Sequence, residues 1–181
     1  MGGAALHLDL FEQPGGRWVF SNLRVATAWR ITTIPDPARA FSGDGARTHG
    51  GRWNSKGTRV IYTADYPAAA ILEQLVQTSS VASLPIYYLF RVSLPETLVS
   101  VVDPTTIPAT WREPARHPAV QAIGDTWATT RTSLALRVPS AVAPHHVNYL
   151  LNPLHPDFPT LAIAAPKRFA LDPRLLPPRH R

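Results

Sequence analysis

A glycine loop, a strand and a helix follow one another directly between Gly50 and Gln77, and this succession constrains the fold most. Residues 58–63 (TRVIYT) are rich in β-branched and aromatic side chains, which is typical of a strand. Asp65 is a candidate N-cap and Pro67 suits a first helical turn, so a helix is predicted over 68–78. The expected apolar side of this helix comprises Ile71, Leu72, Leu75 and Val76.

Other stretches predict a sheet with few helices. Further strands are predicted at 25–33, 86–94, 99–102, 133–138, 160–164 and 168–171. A second helix is predicted at 117–131, and 35–51 is predicted to be a loop because of its prolines and glycines. Since strands outnumber helices and do not alternate strictly with them, the predicted fold class is α+β, not a doubly wound parallel sheet.

Length and composition indicate a single domain. The chain has 181 residues, of which 45% are hydrophobic, enough for a proper core. We predict an N-terminal extension at 1–24, containing a short amphipathic piece at 4–11, then the domain at 25–176 and a tail at 177–181. No signal peptide and no apolar run of about 20 residues is seen, so a cytoplasmic, non-membrane protein is expected.

The absence of cysteine excludes disulfides, thiolate metal sites and cysteine nucleophiles. Lys+Arg exceed Asp+Glu by 18 − 12 = 6, which invites a nucleic-acid or phosphate-bearing partner. The positive charge is nearly all scattered arginine, with lysine only at positions 56 and 167. Direct nucleic-acid binding is therefore not expected.

Arg52 follows two glycines, which allow a backbone to approach a ligand closely. Its planar guanidinium suits phosphate oxygens. The alternative is an arginine that ties down its loop through bonds to carbonyl groups. Arg30, a lone charge between apolar neighbours in a strand, is either an edge residue or a second phosphate contact.

Tyr62 shares a strand face with Val60 and Ala64, whereas Ile61 points to the other side. A tyrosine at such a position either belongs to the core or stacks on a flat ring of a ligand.

Glu73 is the least expected residue of the predicted helix, because its neighbours Ala69, Ala70 and Val76 are small or apolar. A carboxylate on that face is partly desolvated and needs a partner or a function. It is either an exposed surface residue or a group that stabilises positive charge developing on a sugar ring.

The stretch 138–156 is predicted to be a proline-rich loop that gathers polar side chains. These are Ser140, His145, His146, Asn148, Asn152 and His155. Ser140 lacks the glycine elbow of hydrolases, and the histidines lack the spacing of metal ligands, so no metal is expected. No phosphate-binding glycine motif of the Walker or Rossmann kind is present.

Two longer stretches, GGRWNSKGTRVIYTADYPAAAILEQLVQ and LRVPSAVAPHHVNYLLNPLHP, together resemble the RES-domain family. The resemblance spans roughly 28–175. Its members are toxins of RES–Xre toxin–antitoxin systems, named for an arginine, a glutamate and a serine. The resemblance implies a fold similar to ADP-ribosyltransferases, with a mixed or antiparallel sheet. It also implies cleavage of the nicotinamide–ribose bond of NAD, with water, phosphate or a protein as acceptor, followed by growth arrest.

The resemblance further implies a partner, an Xre-type helix-turn-helix antitoxin, and an oligomer formed through that complex. By position, Glu73 would stabilise the charged ribose, Arg30 and Arg52 would hold the pyrophosphate or neighbouring ribose, and Tyr62 would stack on nicotinamide. Ser140 would orient a ribose hydroxyl or the amide, with a polar residue near 127–130 as its alternative. Asn148 matches an asparagine of the family and is expected among the residues that bind NAD, in a structural role. Arg52 and Tyr62 are expected to be catalytic together with Glu73.

Three other functions stay open from the residues. One is an ADP-ribosyltransferase that modifies a protein. Another is a module that binds nucleic acid or cleaves RNA, prompted by the net charge and by the histidines at 145–155. The third is an interaction subunit with an inactive site, against which the intact Arg52, Tyr62 and Glu73 argue.

Overall fold

A nine-stranded sheet forms the framework of the computed structural model, which describes residues 5–13, 17–77, 85–114 and 117–175. The strands are β1 (Ala5–Gln13), β2 (Arg17–Thr32), β3 (Ile61–Ala64), β4 (Tyr87–Pro95), β5 (Val99–Val101), β6 (Ala135–Pro139), β7 (Val147–Leu151), β8 (Ala162–Ile163) and β9 (Lys167–Phe169). The helices are α1 (Pro37–Ala40), α2 (Asp44–His49), α3 (Pro67–Gln77) and α4 (Pro118–Thr130). None of these described helices is long and apolar enough to cross a membrane.

The sheet is mixed and mostly antiparallel. Its main path runs β5-β6-β7-β3-β2-β4-β8, while β1 pairs with β2 and β9 pairs with β4. Strands β5 and β6 pair in parallel, and the other pairs are antiparallel. The α+β class with a mixed sheet that the sequence predicts is therefore confirmed.

Strand β2 crosses the boundary predicted between residues 24 and 25. Its first part pairs with β1 and its second part, from Val25, pairs with β4. The predicted domain limits stay a prediction, and the predicted tail at 177–181 lies outside the described residues.

The prediction of a loop at 35–51 is wrong, since α1 and α2 lie there. Asp36 caps α1 by accepting a hydrogen bond from the Arg39 amide, and Pro37 occupies the first turn. Gly43, with φ of 72°, supplies the left-handed turn before α2. Helices this short carry too little periodicity to be read from sequence.

The prediction of a loop over all of 138–156 is also wrong, because β7 lies at Val147–Leu151, between β6 and β3. Its last four residues are all buried. A strand covered on both faces shows no alternation of polar and apolar residues, so its pattern resembles a short buried run of any kind.

Helix α3 is where the sequence predicts it, but its buried face is only partly as predicted. Leu72 and Val76 are 43% and 64% exposed, while Ala69 and Ala70 are buried against the sheet. Small side chains let a helix approach a sheet closely, and this rotates the larger residues outward. Asp65, predicted to be the N-cap, instead accepts hydrogen bonds from His146 Nδ1 and the Val147 amide.

Helix α4 packs against the loop that precedes β3. Trp53, Val120 and Trp127 belong to one buried cluster. Gly124 lies so close to this loop that a Cβ added there would stand 1.8 Å from Trp53 O. The position therefore accepts only glycine, because the obstructing atom belongs to the backbone.

We expect Gly124→Ala to lower the free energy of unfolding by about 2–3 kcal/mol, because the methyl group forces helix and loop apart. The clash outweighs the gain of up to about 1 kcal/mol in helix propensity. Urea unfolding followed by tryptophan fluorescence measures the change.

Gly45→Ala is the matched control, since a Cβ at Gly45 in α2 meets no atom within 4 Å. Its effect should stay within about 1 kcal/mol of the parent protein. Equal stability of the two variants would show that α4 does not contact the loop as described.

Candidate active site

One cavity of about 980 Å³ gathers most of the side chains that the sequence singles out. Arg30, Arg52, Tyr62, Glu73 and Asn148 all line it. They come from β2, the loop before β3, β3 itself, α3 and β7, so the fold brings together residues that are far apart in sequence.

Glu73 lies half-buried on the face of α3 that borders the cavity. Its Oε1 accepts two hydrogen bonds of 2.8 Å, from Ser140 Oγ and from Asn148 Nδ2. Two donors on one carboxylate oxygen hold the side chain in one orientation. The carboxylate is thus fixed before any ligand arrives.

Ser140, at the end of β6, is 1% exposed and stands behind the carboxylate. While its hydroxyl donates to Glu73, its Oγ accepts from the amides of Val142 and Ala143. The serine therefore joins the turn after β6 to α3. Direct contact of Ser140 with a ribose or an amide stays a prediction.

Tyr62 projects from β3, and its phenol is held by the loop that precedes the strand. Tyr62 Oη donates to Asn54 Oδ1 at 2.7 Å and accepts from the Trp53 amide at 3.1 Å. A Cβ at Gly51 would lie 2.3 Å from this oxygen, which explains the glycine. The half-buried ring borders the cavity, and its stacking on a ligand stays a prediction.

Arg52 makes the loop-tying contacts that were one of the two interpretations of its position. Its Nη1 donates to the carbonyls of Trp111 and Glu113. The residue also lines the cavity. These bonds tie the 111–113 segment to the wall of the cavity, and contact with a phosphate stays a prediction.

Arg30 contributes a positive charge to the floor of the same cavity. Its Nε donates to Ala40 O at 2.7 Å and its Nη1 to Tyr62 O at 3.0 Å, and the guanidinium lies 5.7 Å from the centre of the Phe41 ring. Burial lowers the pKa of Arg30 to about 10, which leaves it charged at neutral pH. A charge fixed by backbone carbonyls needs no reorganisation to attract an anion.

Sequence reasoning missed His49 and Arg112, which also line the cavity. His49 ends α2, in the segment predicted to be a loop, and Arg112 lies over the ring of Trp111 at 5.2 Å. An isolated polar residue in a short helix or in a loop gives no signal in the sequence, and only the fold brings these two residues to the cavity.

The missed Asn54 did have a signal, because it stands in the GRWN loop beside Arg52. It is fully buried, and its Nδ2 donates to the carbonyls of Ala46, Ser55 and Thr58. Its carbonyl oxygen thereby faces Tyr62 in a fixed position.

The histidines that prompted an RNA-cleaving hypothesis are not among the residues lining the cavity. His146 Nδ1 lies 2.9 Å from Asp65 Oδ1, and His155 is buried with Nδ1 accepting from the Asp157 amide. These two residues have structural partners, and His49 is the only histidine among the described residues that line the cavity.

The arrangement suits a particular kind of ligand. Fixed guanidinium groups on the floor and wall attract phosphate oxygens, while the oriented carboxylate favours positive charge close to α3. A molecule with phosphates at one end and a group that becomes cationic at the other matches both features.

Comparisons with known proteins agree with this geometry. The RES domain model matches residues 27–172. A protein named Toxin Res from Yersinia enterocolitica is 38% identical over 148 residues, which cover 81% of this chain and 97% of that protein. A Prs ADP-ribosylating toxin from a Sphingobium species is 34% identical over 82% of this chain and 95% of its own length.

The fold is also similar to a chain in the crystal structure of the M. tuberculosis MbcT–MbcA toxin–antitoxin complex. The TM-score is 0.65 at 23% identity, covering 84% of this chain and 87% of that one. The family model and the extent of the sequence matches confirm the resemblance that the sequence motifs predict. The chain belongs to the RES-domain family, in which the relatives named above are toxins.

Proposed function

We propose that this chain is the toxin of a toxin–antitoxin system and consumes NAD by cleaving the bond between nicotinamide and ribose. One observation carries the proposal. Glu73, oriented by Ser140 and Asn148, faces a cavity that also presents Arg30 and Arg52. The toxin relatives, among them one named as ADP-ribosylating, support the same chemistry.

Glu73 has the principal role in the proposed reaction. As the glycosidic bond lengthens, positive charge develops on the ribose, and a fixed carboxylate stabilises that charge more than it stabilises the substrate. Nicotinamide leaves as a neutral molecule, so the site needs no strong general acid. Ser140 and Asn148 keep the carboxylate from turning away.

The remaining cavity residues bind the dinucleotide in this proposal. Arg30, Arg52 and Arg112 attract the pyrophosphate, and Tyr62 supplies a flat ring for nicotinamide. The cavity volume of about 980 Å³ falls at the upper end of ligand pockets, roughly 300–1,000 Å³. It therefore suits a large, extended substrate.

The acceptor of ADP-ribose distinguishes two versions of the activity. Transfer to water or phosphate would deplete NAD directly, whereas transfer to a protein would make the chain an ADP-ribosyltransferase. The name of the Sphingobium relative supports transfer to a protein as the alternative activity. We further propose that the protein acts in the cytoplasm, where NAD is abundant.

We expect the purified protein to release nicotinamide from NAD, and Glu73→Gln to lower this rate by about 10²–10³. The substitution removes the charge but keeps an oxygen that accepts from Ser140 and Asn148, so the surroundings stay folded. Chromatography of free nicotinamide gives the rate, with and without phosphate and with cell lysate.

Glu96→Gln makes the same chemical change on the exposed turn after β4 and should leave the rate unchanged. Dinucleotide labelled in its adenylate moiety separates the acceptors, because free ADP-ribose, a phosphorylated product and a labelled protein band differ in mobility. No release from the parent protein under any of these conditions, or equal rates for Glu73→Gln and the parent, would contradict the proposal.

We also propose that an antitoxin of the Xre helix-turn-helix type binds this chain, and that the chain forms an oligomer through their complex. The similar chain in the M. tuberculosis structure was crystallised as a toxin–antitoxin complex. Expression of this chain alone should arrest growth, and co-expression of a helix-turn-helix protein encoded beside it should restore growth.

The two proteins should then co-purify. Glu73→Gln should still co-purify with that partner while it no longer arrests growth, which separates binding from activity. Arrest that persists in the presence of the neighbouring protein, together with failure to co-purify, would exclude it as the antitoxin.

A further inference from the structure

Asn148 lies in the second position of β7, in the interior of the sheet, and borders the cavity. Only 7% of its surface is exposed. Its Nδ2 donates to Glu73 Oε1 at 2.8 Å. Because an ionised carboxylate only accepts hydrogen bonds, this contact fixes which end of the amide is nitrogen and which is oxygen.

The other end of the amide is a buried acceptor. Among the residues that the structure describes, no group donates to Asn148 Oδ1. Buried polar atoms of native proteins nearly always have a partner, and an unsatisfied one destabilises the fold. Asn148 borders the cavity, and a ligand that reaches this buried oxygen would supply the missing donor.

We propose that Asn148 is a specificity-determining residue, whose Oδ1 accepts a hydrogen bond from an uncharged N–H or O–H donor on the nicotinamide-riboside half of the substrate. This inference rests on the proposed function. It goes beyond a structural role for Asn148, because the same amide positions Glu73 through its nitrogen and recognises the ligand through its oxygen.

The position of the amide decides which part of the dinucleotide it meets. Nδ2 touches the carboxylate that acts on the ribose in the proposed reaction, so Oδ1 lies one amide group away from that carboxylate. Two kinds of donor belong to that half of the substrate, the ribose hydroxyls and the carboxamide N–H. A carboxylate in place of the carboxamide has no donor and repels an acceptor oxygen.

An aspartate at position 148 could not replace the asparagine in this role. It would place a second carboxylate against Glu73 and would lose the donor that now orients it. The amide is the side chain of this size that donates to Glu73 and accepts from a ligand at the same time.

The test is the binding of non-cleavable carbocyclic dinucleotides, in which a methylene replaces the oxygen of the nicotinamide-ribose ring. Four ligands are compared: the parent, an analogue with a carboxylate in place of the carboxamide, and analogues lacking the 2′- or the 3′-hydroxyl of that ring. Isothermal titration calorimetry gives the Kd of each for the parent protein, Asn148→Ala and Ser140→Ala.

Ser140→Ala is the matched control, since both residues donate a 2.8 Å hydrogen bond to the same oxygen of Glu73, whereas Ser140 is not among the residues that line the cavity. Its hydroxyl oxygen also accepts hydrogen bonds from two backbone amides of the following turn. Removal of this hydroxyl therefore disturbs the local structure at least as much as removal of the Asn148 amide. Only Asn148→Ala removes the orphan acceptor.

We expect the parent protein to bind the parent ligand about tenfold or more tightly than the analogue lacking the relevant donor. Asn148→Ala should bind these two ligands equally, while Ser140→Ala keeps the tenfold difference. The analogue that shows the effect identifies the donor as a hydroxyl or as the carboxamide. The ratio of two Kd values measured on one protein preparation does not depend on the fraction of the protein that is folded. If Asn148→Ala fails to fold, Asn148→Leu replaces it.

Each other outcome overturns the inference. If both variants keep the tenfold difference in Kd, Asn148 does not contact the donor of the ligand. If both variants lose this difference, the discrimination depends on the orientation of Glu73 and not on Asn148 Oδ1. Binding of all four ligands with equal affinity by the parent protein refutes the inference alone and leaves NAD cleavage standing. No binding of any of them, together with no nicotinamide release, refutes the proposed function itself.

Discussion

The pair of hydrogen bonds onto Glu73 Oε1 is the interaction on which the candidate site depends. It joins α3, the turn after β6 and β7 at a single oxygen. A carboxylate that is half-buried beside small residues would otherwise be free to rotate toward water. Because both donors come from the sheet side, the charge stays where a substrate would meet it, and α3 is held against the strands by the same contacts.

The loop before β3, which forms another part of the cavity wall, is fixed independently by α4. Gln121 Nε2 donates to the carbonyls of Gly51 and Asn54, and Asp125 accepts from the Ser55 amide. The close approach at Gly124 removes the remaining space between helix and loop. Arg52 and the loop that holds the Tyr62 phenol are thus positioned by a helix that contributes no residue to the cavity lining.

Sequence patterns predicted the strands and helices whose formation depends on their own residues. Strand β3, predicted at 58–63 and found at Ile61–Ala64, strand β4, predicted at 86–94 and found at Tyr87–Pro95, and helix α3 could be predicted because each has a composition or period of its own. The central strand β7 could not be read, since it is short, buried on both faces and framed by prolines and histidines. The face of α3 was only partly predicted, because Ala69 and Ala70 are buried beside Ile71 and Leu75, while Leu72 and Val76 are exposed.

By itself the sequence determined the fold class, the RES-domain resemblance and the identity of the residues around Glu73, since these follow from side-chain chemistry and from several motifs in a fixed order. Only the tertiary structure decided how those residues are used. It placed Ser140 behind the carboxylate, bound Arg52 to two carbonyls, and brought His49 and Arg112 to the cavity. Such contacts join residues that lie tens of positions apart, and their geometry depends on how the strands are ordered in the sheet, which no local pattern encodes.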